Sequence, residues 1–339
     1  MSAPMSRRSL VRRVAGLGAL ALLSGCAAPS APATQPATQP NKVRRIGYLA
    51  GGAQGAAESE PHFRQRLREL GYVDGRDIVI ELRTESVPDR LPGLLSQLIG
   101  LPVDVLVVQG SPNALAAKQA TTAIPIVFLR VTDPVAQGIV ASLARPGGNV
   151  TGVSASASLG PKQLELLKET VPGLTRIAVL WNANNSGAAV QLRDTEAAAR
   201  TLRLDLEAFG IHSPDELDIA LDTIARSRPD ALLVGVGFGF FRELGQIPDF
   251  ATKIRLPQIY STDAAFVRAG GLMALGSNQP SVARRAAELV DKIFRGSKPG
   301  DLPIEIPTQL DIIVNLTAAE RIGLTFSESM LRRATEVVR

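Results

Sequence analysis

The sequence predicts an α/β fold: two similar Rossmann-like lobes, each on a parallel sheet, joined by a hinge of several strands. Short apolar runs alternate with stretches of helical period, the same order of elements is written twice, and Pro/Gly-rich segments fall where one copy gives way to the other. Strands that alternate with helices form parallel sheets.

The elements begin only after a leader. Arg7, Arg8, Arg12 and Arg13 precede an apolar run, Val14 to Leu23, and Leu23-Ser24-Gly25-Cys26 closes it. A basic stretch, a short apolar stretch and small residues before a cut site make a secretory signal. The run is well short of the roughly 20 residues that span a bilayer. The Leu-Ser-Gly-Cys ending resembles the lipobox of bacterial lipoproteins, which implies that Cys26 receives a diacylglycerol and becomes the new N-terminus. The alternative is a free or buried cysteine in an ordinary signal region. Ser6-Arg7-Arg8-Ser9-Leu10 also resembles a twin-arginine export signal. Residues 27–41 form a Pro/Ala/Thr/Gln tract with nothing to bury, so it reads as an extended tether. Residues 1–25 are thus a signal peptide and 26–43 a lipid-anchored flexible linker.

The leader also accounts for most of the net charge of +5. Four of the 37 basic residues and none of the 32 acidic ones lie in residues 1–25, which leaves 33 against 32. A nucleic-acid partner needs a concentrated basic face; the pairs Arg44-Arg45 and Arg332-Arg333 read as solvated ends. With one cysteine there is no disulfide, and two distant histidines, His62 and His212, give no metal-ligand spacing. No cofactor is expected.

The first copy opens with the strand-like Arg45 to Leu49, followed by a helical period over His62 to Leu70, with Phe63, Leu67 and Leu70 on one face. Ile78 to Leu82 reads as a strand, Arg90 to Ile99 as a helix, and Val103 to Val108 and Ile124 to Phe128 as strands. The second copy repeats the order: Arg176 to Leu180, Ala188 to Leu204, Leu204 to Ala208, Glu216 to Ser227, Pro229 to Val234, Leu256 to Tyr260. Equivalent positions are offset by 131 (Ile46 to Ile177), 126 (Asp104 to Asp230) and 132 (Pro125 to Pro257). Ala144 to Gly152, with Pro146-Gly147-Gly148, reads as the first crossover, Gly270-Gly271 as the second, and 299–307 as the third. The helix Ser281 to Phe294 is expected to return to the first lobe. Lobe 1 is then 44–148 plus about 275–300, and lobe 2 is 152–272 plus about 303–339.

Thr132-Asp133-Pro134-Val135 and the string Ala141 to Gly152 resemble the central signature of ABC-transporter solute-binding proteins of the TrpX-like family. Phe63 to Gly75, Gln163 to Glu169, Val290 to Ile293, Asp301 to Glu305 and Asn315 to Ala319 match as well, so the resemblance runs from about Arg44 to the C-terminus. It implies a type I periplasmic-binding-protein fold and a small ligand held between hinged lobes. It also implies permease and ATPase partners in the membrane. It does not name the ligand.

Ligands of open α/β sheets bind beyond the carboxyl ends of the strands, which selects particular loops. In lobe 1, Gly52 permits close backbone approach, and Gln54 is either a ligand contact or part of a surface turn. Ser111, read as an N-cap with Pro112 at N1, and Asn113 begin a helix whose free N–H groups suit a carboxylate. Thr132 and Asp133 follow the next strand; Asp133 either receives an ammonium or hydroxyl or forms an Asx-type turn. In lobe 2, Asn182, Asn184 and Asn185, with Ser186, cluster after a strand and offer uncharged donors and acceptors. Gly237 and Phe238 follow the next one, Phe238 either stacking on ligand or packing in the core. Gly235-Val236-Gly237-Phe238-Gly239 is not a dinucleotide fingerprint, because the third Gly is misplaced. Asp263 occupies the place equivalent to the loop after Ile124 to Phe128.

The sequence reading is therefore an exported, lipid-anchored monomer that captures a small polar solute, an amino acid or related metabolite, and hands it to an ABC importer from the periplasm or cell surface. A ligand-sensing receptor for a membrane signalling partner is the alternative. An exported enzyme is the weaker one, since no Gly-x-Ser-x-Gly elbow, Walker A loop or zinc helix occurs.

Overall fold

The computed structural model describes residues 43–85, 88–155, 159–235, 245–261 and 264–339. The signal segment, Cys26 and the tether to residue 42 lie outside the described residues. The first half is β1 (Arg44–Ala50), α1 (Gly52–Glu69), β2 (Ile78–Thr84), α2 (Leu91–Gly100), β3 (Val105–Gln109), α3 (Ser111–Ala120), β4 (Ile126–Val131) and β5 (Val150–Ser154). The second is α4 (Leu159–Thr170), β6 (Arg176–Asn182), α5 (Ser186–Leu202), β7 (Asp205–Ile211), α6 (Leu217–Ser227), β8 (Ala231–Val234), α7 (Gln246–Lys253), β9 (Gln258–Ser261), α8 (Ala264–Arg268) and β10 (Met273–Ser277). Then come α9 (Gln279–Phe294), β11 (Leu310–Asn315), α10 (Leu316–Ile322), α11 (Glu328–Arg333) and β12 (Glu336–Val338).

The first sheet has the order β2-β1-β3-β4-β5 and is parallel throughout. The second has the order β12-β11-β10-β9-β8-β6-β7; β11 runs antiparallel to β10, the other pairs being parallel. Strands covered on both faces tend to near-continuous apolar runs, and β3, β8 and β9 are buried along their whole length, with Gln109, Gln258 and Ser261 as buried polar residues at strand ends. Alternation then sends side chains to opposite layers. Val105 and Val107 join the core under α1 and α9, while Leu106 and Val108 join the one under α2 and α3. In the second sheet Ile177 and Val179 face α4 and α5, and Ala178 and Leu180 face α6 and α7.

The lobes exchange helices. α4 follows β5 yet packs on α5, and α9 follows β10 yet packs on α1, as expected for Ser281 to Phe294. The exchange places the crossings later than the sequence suggested. Residues 150–154 are not past the first crossing, because β5 pairs with β4 and is fully buried; the chain changes lobe beyond Ser154. The Pro146-Gly147-Gly148 turn instead rests on the third segment, Gly147 N donating to Gly300 O at 3.1 Å. Gly270-Gly271 is the turn between α8 and β10, so the second crossing falls at Ser277-Asn278. Ile304 is buried in the lobe 1 core, and Glu305 N donates to Gly152 O at 3.0 Å. The third crossing therefore lies between Glu305 and Leu310 rather than before 303.

Helix α1 also begins earlier than its periodicity suggested. Pro61 lies within it, and a proline in a helical pattern reads as a boundary, which hid the turns before it.

Candidate functional site

The carboxyl ends of both sheets face each other, and the loops there are built by backbone needs first. Gly52 and Gly110, at the starts of α1 and α3, have φ of +89° and +87°, a region glycine enters freely. Gly51 and Gly110 are the N-cap residues, with no side-chain cap and no acid in the first turn of either helix. The unbonded N–H groups give this edge of lobe 1 a positive potential.

Ser111 is therefore the first helical residue and not the N-cap; Gly110 holds that place because the turn needs a positive φ. Ser111 Oγ instead accepts from Thr132 N at 3.3 Å and from Gln137 Nε2 at 3.0 Å. Gln54 lies in the first turn of α1, where its amide donates to Glu58 Oε1 at 2.9 Å. Asn113 is buried, its Nδ2 3.5 Å from Leu49 O. Asp133 has φ +39°, tolerated by aspartate, and its Oδ1 accepts from Ala136 N at 3.0 Å. The carboxylate thus braces the 133–140 turn. In lobe 2, Asn182 Oδ1 accepts from Asn184 N at 2.9 Å, Asn184 Nδ2 donates to His212 O at 2.6 Å, and Asn185 caps α5 through Gly187 N at 2.9 Å. Gly237, Phe238 and Asp263 fall outside the described residues.

The lobes meet on one flank of this cleft. Ser186 Oγ at the start of α5 donates to Gln137 Oε1 of lobe 1 at 2.7 Å, while the amide of Gln137 also donates to Thr132 O. On the other flank a cavity of about 580 Å³ separates α1 from lobe 2, within the roughly 300–1,000 Å³ of small-molecule sites. Glu58 and His62 of α1 line it, opposite Arg268, Asp311 and Glu336. The Arg268 guanidinium is paired with the Glu336 carboxylate at 2.8 and 3.0 Å, which holds its pKa above the usual arginine value.

Sequence reasoning missed Gln137, the cavity wall and a buried amide network. In that network Gln163 Nε2 donates to Ser261 Oγ at 2.9 Å and to the carbonyls of Leu275 and Tyr260 at 3.1 and 3.3 Å. Gln191 Nε2 joins it through Gln163 Oε1 at 3.1 Å and Ser261 Oγ at 2.8 Å. It fixes α4, the helix that leaves the hinge, to α5 and the end of β9. Its signal was a glutamine on the stripe 163, 166, 167, 170, whose other members are buried. Tyr260 below it is enclosed and stacked on Phe266 at 4.8 Å, and burial pushes its phenol well above the ordinary value. Among the described residues no cluster of His, Cys, Asp or Glu suits a metal.

Two doubly wound lobes that exchange helices, with polar loops at the strand ends, define a type I periplasmic-binding-protein architecture. Residues 56–338 match the model of the ABC transporter substrate binding protein family, and the chain belongs to that family. It is 27% identical over 317 residues to the tyrosine-binding protein of Clostridioides difficile (strain R20291), covering 91% of this chain and 90% of that one. An ABC domain from Streptococcus pneumonia in complex with L-Trp superposes with a TM-score of 0.80 at 25% identity, over 87% of this chain and all of that one. The ligand-free, open structure of a substrate binding protein with adhesive properties from Clostridium difficile scores 0.65 at 26% identity, over 87% of this chain and 99% of that one.

Proposed function

We propose that this protein is the extracytoplasmic receptor of an ABC importer, held to a membrane through Cys26, and that it takes an amino acid, of aromatic type as in its relatives, between its lobes. The observation that carries the reading is the asymmetry of the cleft. Lobe 1 presents the uncapped starts of α1 and α3, which suit the ligand carboxylate. Lobe 2 presents Asn182, Asn184 and Asn185, whose own hydrogen bonds fix the loop that closes over it. Closure by hinge bending buries the ligand, and a permease and ATPase then receive it. Among the described residues no helix is long and apolar enough to cross a membrane.

The test is a calorimetric and thermal-shift panel of amino acids, nucleobases, sugars and organic acids, with recovered ligand checked by mass spectrometry. One unaltered amino acid per chain is expected. Asp133→Ala and Asn182→Ala, which loosen the two facing loops, should weaken binding several-fold while the fold persists. A panel without binding refutes the receptor for these classes, chemical change of the ligand refutes a non-enzymatic role, and full affinity in both variants refutes the placement of the cleft.

A further inference from the structure

We propose that Gln137 and Gly187 form a lobe–lobe dock that sets the closed form independently of ligand, Gln137 as the positioning residue and Gly187 as the space that admits α5. Gln137 is tied into lobe 1 by donating to Ser111 Oγ and Thr132 O, and its remaining oxygen accepts from Ser186 Oγ of lobe 2 at 2.7 Å. The adjoining Gly187 is buried against Ser111 and Thr132 of the same lobe 1 loops. A Cβ at position 187 would lie 2.7 Å from Ser111 Oγ and 3.1 Å from Thr132 Oγ1, both in the other lobe, and 3.2 Å from Asn185 Oδ1 in its own. Ser111 Oγ cannot swing aside freely, because it already accepts from Thr132 N and Gln137 Nε2.

Gly187 lies in the first turn of α5 and has no positive φ, so its own helix does not require glycine. Helices prefer alanine to glycine. The closest obstacle to a side chain, and the one contact below 3.0 Å, comes from the facing lobe. With the lobes apart, a methyl group at 187 meets only its own cap; with the lobes together, it also meets the hydroxyls of Ser111 and Thr132. The dock thereby makes the open-to-closed equilibrium a property of three polar side chains and one glycine, and a ligand shifts that equilibrium rather than creating it.

The inference rests on the hinge-closure reading for its affinity arm only. Small-angle scattering of the ligand-free full chain, thermal melting and calorimetry with L-Tyr and L-Trp are compared for the wild type, Gly187→Ala, Gln137→Leu, Ser186→Ala and the double variant. Gly187→Ala is expected to keep or raise the melting midpoint while the radius of gyration grows and affinity falls about tenfold, opposite signs that a merely structural role does not produce. Gln137→Leu and Ser186→Ala should each enlarge the radius, and their effects should not add in the double variant. Ser186→Thr, which keeps the hydroxyl, should restore the compact form. An unchanged radius in Gly187→Ala and Gln137→Leu overturns the dock. If neither amino acid binds the wild type, the ligand class is wrong, and the scattering arm still decides the dock.

Discussion

Gly152→Ala should cripple the hinge. Gly152 sits in β5, where a Cβ would lie 2.3 Å from Phe128 O and 2.6 Å from the Phe128 ring. Contacts of a Cβ below 3.0 Å essentially do not occur, so β5 must move at least about 0.7 Å from β4. The displaced strand also holds the third hinge segment, through Glu305 N to Gly152 O at 3.0 Å and Ser154 N to Glu305 O at 2.9 Å. Neither obstacle yields cheaply, one being a backbone carbonyl and the other a fully buried ring. Overpacking of a well-packed site costs about 1–3 kcal/mol, and the backbone clash puts this one near 3 kcal/mol. At roughly 2–4 °C per kcal/mol for domains of this order of size, the melting midpoint should fall by about 6–12 °C. Gly148→Ala is the control: its φ is +62° with nothing within 4 Å of the added atom, so only the strain of about 1–2 kcal/mol for a left-handed residue applies. Differential scanning calorimetry of both variants decides it. A Gly152→Ala midpoint equal to or above that of Gly148→Ala refutes the packing argument.

Two further outcomes follow from single contacts. Gln163→Leu removes the centre of the buried amide network, so that Gln191 and Ser261 each lose hydrogen bonds to it; at about 0.5–1.5 kcal/mol net per bond, denaturant unfolding should show a loss of about 1–3 kcal/mol, and a loss under 0.5 kcal/mol would mean that water replaces the amide. The Glu69 carboxyl is held down to about 2 by hydrogen bonds from Arg284 and Arg66, so its folded value lies below the unfolded one. Its stabilisation is present above pH 4.5 or so and is lost as pH falls toward 2. The melting gap between wild type and Glu69→Gln should therefore close across that window and shrink in high salt; a gap independent of pH removes this ion pair from the account.

The strands were legible because buried parallel strands are continuous apolar runs, and Val105–Gln109 or Ala231–Val234 admit little else. Helix α1 was half legible: Phe63 and Leu67 announce its buried face, but Pro61 conceals its first turns. The cleft loops were correctly assigned to strand ends, yet the roles within them were not readable. Asp133 and Ser111 have the chemistry of ligand contacts, and in the structure they brace a turn and receive two donors. Whether a polar side chain faces a ligand or its own backbone depends on neighbours that are remote in sequence.

The chain by itself determined the doubled α/β order and the family signature, because these are matters of local pattern and of order. Tertiary structure alone decided that α4 and α9 change partners, that Gly147 and Gly152 serve a packed hinge rather than a crossover, and that Gln137 meets Ser186. Those facts arise from contacts between segments from 28 to 222 residues apart, where a missing methyl group or a single amide has meaning only against the surface it touches.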